Sequence, residues 1–157
     1  VRYPSVERFT KWNDKSAWAD PKQASALKAD YASFGRVPQA TDVYVVNEVH
    51  IWQDQQVHVH LSSRDVIHSF WIPAMRVKQD ALPGSVIPVW FDASKLKPSD
   101  FGPDKTKEFE WVCAELCGWG HYRMRAKVVV HATREDYNAW LKLKTAELNT
   151  VKKKEGA

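Results

Sequence analysis

Four sulfur or imidazole donors fall within the segment Cys113-Ala-Glu-Leu-Cys117-Gly-Trp-Gly-His121-Tyr-Arg-Met124, and that segment constrains the fold more than any other feature. Two thiolates, an imidazole and a thioether act together only if the backbone turns sharply enough to aim them at one point. Gly118 and Gly120 allow such a turn between the second cysteine and the histidine. On either side, residues 109–113 and 127–131 read as strands, the latter with three successive valines. The chain therefore carries a tight loop between two strands, able to wrap its donors around one centre.

The rest of the middle region reads the same way. Residues 43–46 form a short apolar run, and Val57-His58-Val59-His60-Leu61 alternates with period two, as a strand with one buried face does. Residues 85–91 give another strand, which Pro88 places at an edge or a bulge. Pro83-Gly84, Lys97-Pro98 and Gly102-Pro103 separate these runs as turns. Several short strands at this spacing predict an all-β fold, a Greek-key sandwich or barrel.

The ends differ from the middle. Residues 1–41 mix Pro4, Pro21, Gly35 and Pro38 with charges and isolated tryptophans, and read as an irregular excursion. A short helix over 21–31 is expected within it, capped by Asp20 with Pro21 in the first turn. Residues 42–132 form the β core. Over 133–157, Thr133 caps a C-terminal helix whose first turn is acidic and whose Tyr137, Trp140, Leu141 and Leu148 make one packing stripe.

Composition narrows the function classes. Charged residues at 27% and hydrophobic ones at 44% over 157 residues describe one ordinary globular domain. No apolar run approaches the ~18 residues of a membrane span, and no leader-like segment opens the sequence, so a soluble piece is expected. The net charge of +4 owes much to Lys152-Lys153-Lys154. The cations elsewhere are scattered among acids without a nucleic-acid motif, so no nucleic-acid partner is expected. Two cysteines four residues apart point to metal or redox chemistry rather than a disulfide framework.

A single-copper electron-transfer site takes one Cys, two His and a weak axial Met. The loop lacks one histidine for that purpose and has one cysteine to spare. A surplus thiolate lets two cysteines bridge two metal ions, provided a further histidine arrives from elsewhere. His68, in Asp65-Val66-Ile67-His68-Ser69-Phe70-Trp71 just past the alternating strand, is the candidate. A local disulfide, a tetrahedral zinc site, and a copper chaperone or thiol-redox protein are the alternatives; Met124 has no role in any of them. His58 and His60 read as the solvent face of a strand. His50 and His131 have no partner of suitable spacing and read as structural.

The segments 113–124, 65–73 and Val77-Lys-Gln-Asp-Ala-Leu-Pro-Gly84, in this order and spacing, resemble the soluble copper-binding domain of cytochrome c oxidase subunit II over roughly residues 42–141. The resemblance implies a cupredoxin-like Greek-key β-sandwich holding a dinuclear copper centre, CuA. His68, Cys113, Cys117, His121 and Met124 would be its side-chain ligands, with both sulfurs bridging. Glu115 would supply its backbone carbonyl to one copper and its side chain to a magnesium ion facing subunit I. Asp65 matches an acidic position near the cytochrome c docking surface. Phe70, Trp71 and Trp119 would cover the centre against water.

The implied function is to accept single electrons from cytochrome c, or another c-type haem donor, and pass them to haem in subunit I. Oxygen reduction would belong to subunit I, so the chain would be a subunit domain of the enzyme. Glu115, where nitrous oxide reductases carry Trp, separates it from that family's copper domain. Val1-Arg2-Tyr3-Pro4 looks like the end of the family's aromatic motif, so that motif and the membrane-anchoring helices are expected upstream. The implied location is the periplasmic face of a bacterial inner membrane. The basic net charge departs from the acidic docking surface usual for a basic cytochrome c, and implies a less basic or tethered donor.

Overall fold

The structure, a computed structural model, describes residues 2–4, 15–34, 39, 41–93 and 96–155. In chain order these form β1 (Arg2–Tyr3), α1 (Lys15–Ala19), α2 (Pro21–Phe34), β2 (Val43–Tyr44), β3 (Glu48–Trp52), β4 (Gln56–Leu61), β5 (His68–Ile72), β6 (Val77–Ala81), β7 (Ile87–Asp92), β8 (Thr106–Cys113), β9 (Arg125–His131) and α3 (Arg134–Glu155). Short 3-10 turns stand at Pro73–Met75, Pro98–Asp100 and His121–Arg123. The chain divides into two compact units, Val45–Tyr137 and the combination of Arg2–Tyr44 with Asn138–Ala157.

The first unit is the β-sandwich. One sheet has the strand order β3-β9-β8-β5-β6, and β4 and β7 form a separate two-stranded ribbon. All pairs within them are antiparallel except β3 with β9, which run parallel. The core between the layers comes from Val49 and Ile51 of β3, Phe70 and Ile72 of β5, Phe91 of β7, and Val128 and Val130 of β9, with Met75 and Ala93. Val57, Val59 and Leu61 pack against that cluster, so the alternating strand buries the face its valines predicted. Ile72, Val128 and Val130 are fully buried, each contributing about 1.5–3 kcal/mol relative to an exposed side chain.

Burial on both faces explains the unalternating runs. Val49, His50 and Ile51 are all buried, as are Val128, Val129, Val130 and His131, which is how strands covered on two sides read. Pro88 sits opposite His60 on the two-stranded ribbon, where no third strand needs its missing donor. Besides the two-residue β1, three strands escaped the sequence reading: β3, β5 and β6 are short and mix charged or polar residues with apolar ones.

The second unit holds β1 paired with β2. Asp42, 2% exposed, meets Arg2 Nη1 at 3.7 Å and accepts from the Gln39 backbone N–H at 2.9 Å. Tyr3 packs edge-on to Trp140 with centroids 5.1 Å apart. The helix expected over 21–31 reaches Phe34; Asp20 caps it by accepting from the Lys22 N–H at 2.9 Å. Thr133 caps α3 the same way, accepting from the Asp136 N–H at 3.1 Å.

Candidate metal centre

Three local features assemble the site, all within the sandwich unit. First, Phe70 of β5 pairs with Cys113 at the end of β8, which brings His68, the first residue of β5, beside that cysteine. Second, the Cys113 N–H donates to the Met124 carbonyl at 3.0 Å, closing the β8–β9 loop at its neck. Third, bonds from His121 N to Gly118 O and from Met124 N to His121 O, each 3.1 Å, tighten the loop into one short turn. Gly118 holds φ at 122°, a conformation that L side chains rarely adopt.

The result is a ring of soft donors. The Cys113 and Cys117 sulfurs lie 3.7 Å apart, well beyond the ~2.05 Å of a disulfide. His68 Nδ1 is 3.9 Å from the Cys113 sulfur, and His121 Nδ1 is 3.6 Å from the Cys117 sulfur. Met124 Sδ stands 3.3 Å from the Cys117 sulfur. The Glu115 carbonyl oxygen lies 3.3 Å from the Cys113 sulfur. All six residues singled out in the sequence therefore meet at one end of the sandwich. Among the described residues, His68, Cys113 and Cys117 are the group of three His, Cys, Asp or Glu side chains close enough to share an ion, their donor atoms lying within 4.8 Å of one another.

Charge around the ring is asymmetric. Asp65 Oδ1 accepts from His68 Nε2 at 2.9 Å, which raises the His68 pKa and lowers that of Asp65. That bond leaves Nδ1 turned to the sulfurs and fixes the ring. Burial pushes the Cys113 thiol up, but the backbone N–H groups of Ser69 and Glu115, with His68 and His121, outweigh it and bring the pKa to about 6. The Ser69 N–H donates to that sulfur at 3.5 Å. Cys117 shifts the other way, raised by burial and by its neighbour Cys113. The donors around the pair thus favour one thiolate between the two sulfurs.

Two sequence expectations need correction. Phe70 is buried with its ring 5.1 Å from that of Trp111, but Trp71 is 38% and Trp119 84% exposed. Trp119 faces outward because its glycine neighbours give it no scaffold; it rests edge-on to Tyr122 at 6.4 Å, with the Arg123 guanidinium 5.6 Å from its ring. His50 and His131 do have a partner, each other: His50 Nδ1 lies 2.9 Å from His131 Nε2, and both are buried. The parallel β3–β9 pairing that joins them spans 81 residues, which no sequence spacing announces. The Ser69 N–H was also missed, since a backbone donor has no side-chain signature. The Asp65–His68 bond was legible only as an i,i+3 spacing within a loop.

The family model for the periplasmic domain of cytochrome c oxidase subunit II matches residues 29–133. The chain belongs to the cytochrome c oxidase subunit II family. It is 44% identical over 96 residues to cytochrome c oxidase subunit 2 of Thermostichus vulcanus, covering 61% of this chain and 26% of that protein. It is 43% identical over 101 residues to the alternative cytochrome c oxidase subunit 2 of Bradyrhizobium diazoefficiens, covering 64% of this chain and 32% of that protein. The chain thus spans between a quarter and a third of these relatives.

The solved periplasmic domain of subunit II of cytochrome oxidase from Bradyrhizobium japonicum superposes with a TM-score of 0.55 at 30% identity, covering 68% of this chain and 69% of that one. A mixed-disulfide intermediate between a thioredoxin-like protein and subunit II of cytochrome c oxidase gives 0.51 at 29%, covering 65% of this chain and 64% of that one. The fold is the cupredoxin-like sandwich of this family. Subunit II implies copper, and the donors present fit it: thiolate and thioether suit Cu(I), while imidazole suits both oxidation states.

Proposed function

We propose that this domain is the electron-transfer module of a haem-copper oxidase, with a dinuclear CuA centre held by His68, Cys113, Cys117, His121 and Met124 and by the Glu115 carbonyl. One observation carries the reading. The two sulfurs stand 3.7 Å apart, and each has its own imidazole, at 3.9 and 3.6 Å. A mononuclear site has no use for the second thiolate–imidazole half. Held by these thiolates and imidazoles, a pair of copper ions would supply one-electron chemistry with the change of charge spread over both, so little reorganisation would oppose transfer.

The chain's own residues do the rest. Asp65 orients His68, and the Ser69 N–H stabilises negative charge on the Cys113 sulfur. The loop hydrogen bonds from Gly118 to Met124 hold the second half in place, which limits movement when charge arrives. Around this end, Val66, Ile67, Leu116, Trp119 and Tyr122 are exposed, an apolar surface suited to close approach by partner proteins. In this reading a c-type cytochrome delivers electrons and haem in subunit I receives them. Glu115 would offer its carboxylate to a magnesium ion at the subunit I contact, and oxygen reduction would take place in subunit I. The domain stands on the periplasmic side of the membrane, as the matched family region does.

The same dithiol must be kept reduced before metal arrives. The relative captured in a mixed disulfide with a thioredoxin-like protein supports a reductant of that class acting here, since the two sulfurs are near enough to oxidise to each other. Copper analysis with electron paramagnetic resonance on the reconstituted domain tests the main reading. Two copper ions per chain and a multi-line mixed-valence signal are expected. One ion with a four-line signal would overturn it in favour of a mononuclear site.

A further inference from the structure

His68 opens β5 after a loop, residues 62–67, that leaves β4 at Leu61. Both ends of that loop are tied to the same short stretch of chain. His68 is the register partner of Ala81, the last residue of β6. Two residues further on, Pro83 forms a parallel bridge with Ser63, whose N–H donates to the Leu82 carbonyl at 3.5 Å. A hydroxyl holds the interior of the loop. Ser63 Oγ donates to the Val66 carbonyl and lies 3.3 Å from Asp65 Oδ1, the oxygen that accepts from His68 Nε2 at 2.9 Å. Burial cannot fix Asp65 in that place, because its side chain is 70% exposed.

We propose that Ser63 is a positioning residue for the copper ligand His68, acting through Asp65. The proposal rests on the copper reading above. An exposed carboxylate has several rotamers open to it, and leaving the one that meets Nε2 breaks the bond that turns Nδ1 toward the sulfurs. The Ser63 hydroxyl carries one proton for its two acceptors. Given to the Val66 carbonyl, that proton closes a turn over residues 63–66, which sets the backbone from which Asp65 projects. Given to Oδ1, it supports the carboxylate directly. Both arms start from a backbone already fastened to the end of β6. Orientation therefore passes from the sheet through Ser63 and Asp65 to the imidazole. A metal-ligating histidine whose other ring nitrogen is held in this way keeps its tautomer and its ring orientation.

Two measurements test this. In the reduced, metal-free chain, exchange of the His68 Nε2–H proton with water, followed by nuclear magnetic resonance, should quicken about threefold in Ser63→Ala, the loss of one exposed hydrogen bond. In the copper-loaded chain, competition with a chelator should show an affinity about threefold lower. Ser63→Thr, which keeps the hydroxyl, should restore both values. Beside Asp65→Ala, Ser63→Ala should add no further loss of affinity, because the group through which it acts is gone. Circular dichroism checks that the variants fold. The proton measurement needs no metal, so it judges Ser63 even where the copper reading fails. Unchanged exchange in Ser63→Ala, or an affinity loss as large beside Asp65→Ala as alone, would overturn the proposal.

Discussion

Two pairs of histidines in the sandwich have opposite surroundings. His68 and His121 stand at the loop end, each with one nitrogen facing a cysteine sulfur. His50 and His131 are sealed on the sheet, hydrogen-bonded to each other, with Glu48 Oε2 3.2 Å from the outer nitrogen of His50. All bonds are satisfied if His50 donates from Nε2 to Glu48 and His131 donates from Nε2 to His50 Nδ1. One pair keeps lone pairs aimed at a place where an ion fits; the other spends its facing nitrogens on each other and one more on Glu48. The same side chain serves binding at one end and packing at the other, and what decides is the neighbour that each ring nitrogen meets.

That contrast is tested most severely at the loop. Cys117→Ser removes the sulfur that touches His121 and Met124 and leaves a hard oxygen in its place. The mixed-valence signal should disappear and copper content should fall to one ion or fewer. Urea unfolding of the metal-free domain should shift by no more than about 0.5 kcal/mol, because this side chain lies outside the apolar core. Large loss of metal-free stability would mean that the loop is part of the packing, and the contrast would fail.

The buried pair makes the opposite prediction, stability without metal. Burial foremost, and then the neighbouring His50, lower the His131 pKa to about 4, while Asp136 and Asp104 pull it weakly upward. The folded value lies below the ordinary 6.5, so above that pH both states are neutral and no penalty applies. As pH falls through 6.5 the unfolded chain takes the proton first, and stability declines until about pH 4, where the folded ring also protonates. The loss sums to about 3 kcal/mol. His131→Gln, which can still bond His50, should flatten urea midpoints between pH 6.5 and 4. An unchanged slope would show that His131 does not carry the effect.

Asp65 offers a smaller and more local test. Asp65→Asn keeps an acceptor near His68 Nε2 but removes its charge, and should weaken copper binding by about tenfold, within the range for such outer contacts. Competition with a chelator measures it. An equal affinity would mean that the His68 ring is fixed by its place at the start of β5 alone.

How much of this was readable follows from where the information sits. Cys113, Cys117, His121 and Met124 lie in one continuous segment, so their chemistry and spacing were visible together. His68 was reachable because its own segment carried a second motif. The alternating valines of β4 announced which face is buried. By contrast, β3, β5 and β6 are five residues each, and their order in the sheet comes from pairings between distant segments. The His50–His131 bond depends on that order and was invisible. Trp119 misled for a physical reason: its bulk suggested a lid, but two flanking glycines and an aromatic neighbour on the same loop let it turn to solvent.

Trp119 gives the finest discrimination. Its ring contacts Tyr122 and the Arg123 guanidinium but is 84% exposed. Trp119→Ala should therefore leave unfolding within about 0.5 kcal/mol. The optical spectrum and potential of the copper-loaded domain should also stay unchanged, since the ring does not screen the donors. What should change is encounter: electron exchange with the rest of the oxidase should slow several-fold, because an exposed aromatic of this size is the kind of side chain that anchors a protein contact. A shifted potential at unchanged exchange rate would show instead that the ring folds over the centre once copper is bound. The loop would then have a buried state of its own, and the division between a binding end and a packed sheet would be a matter of loading rather than of fold.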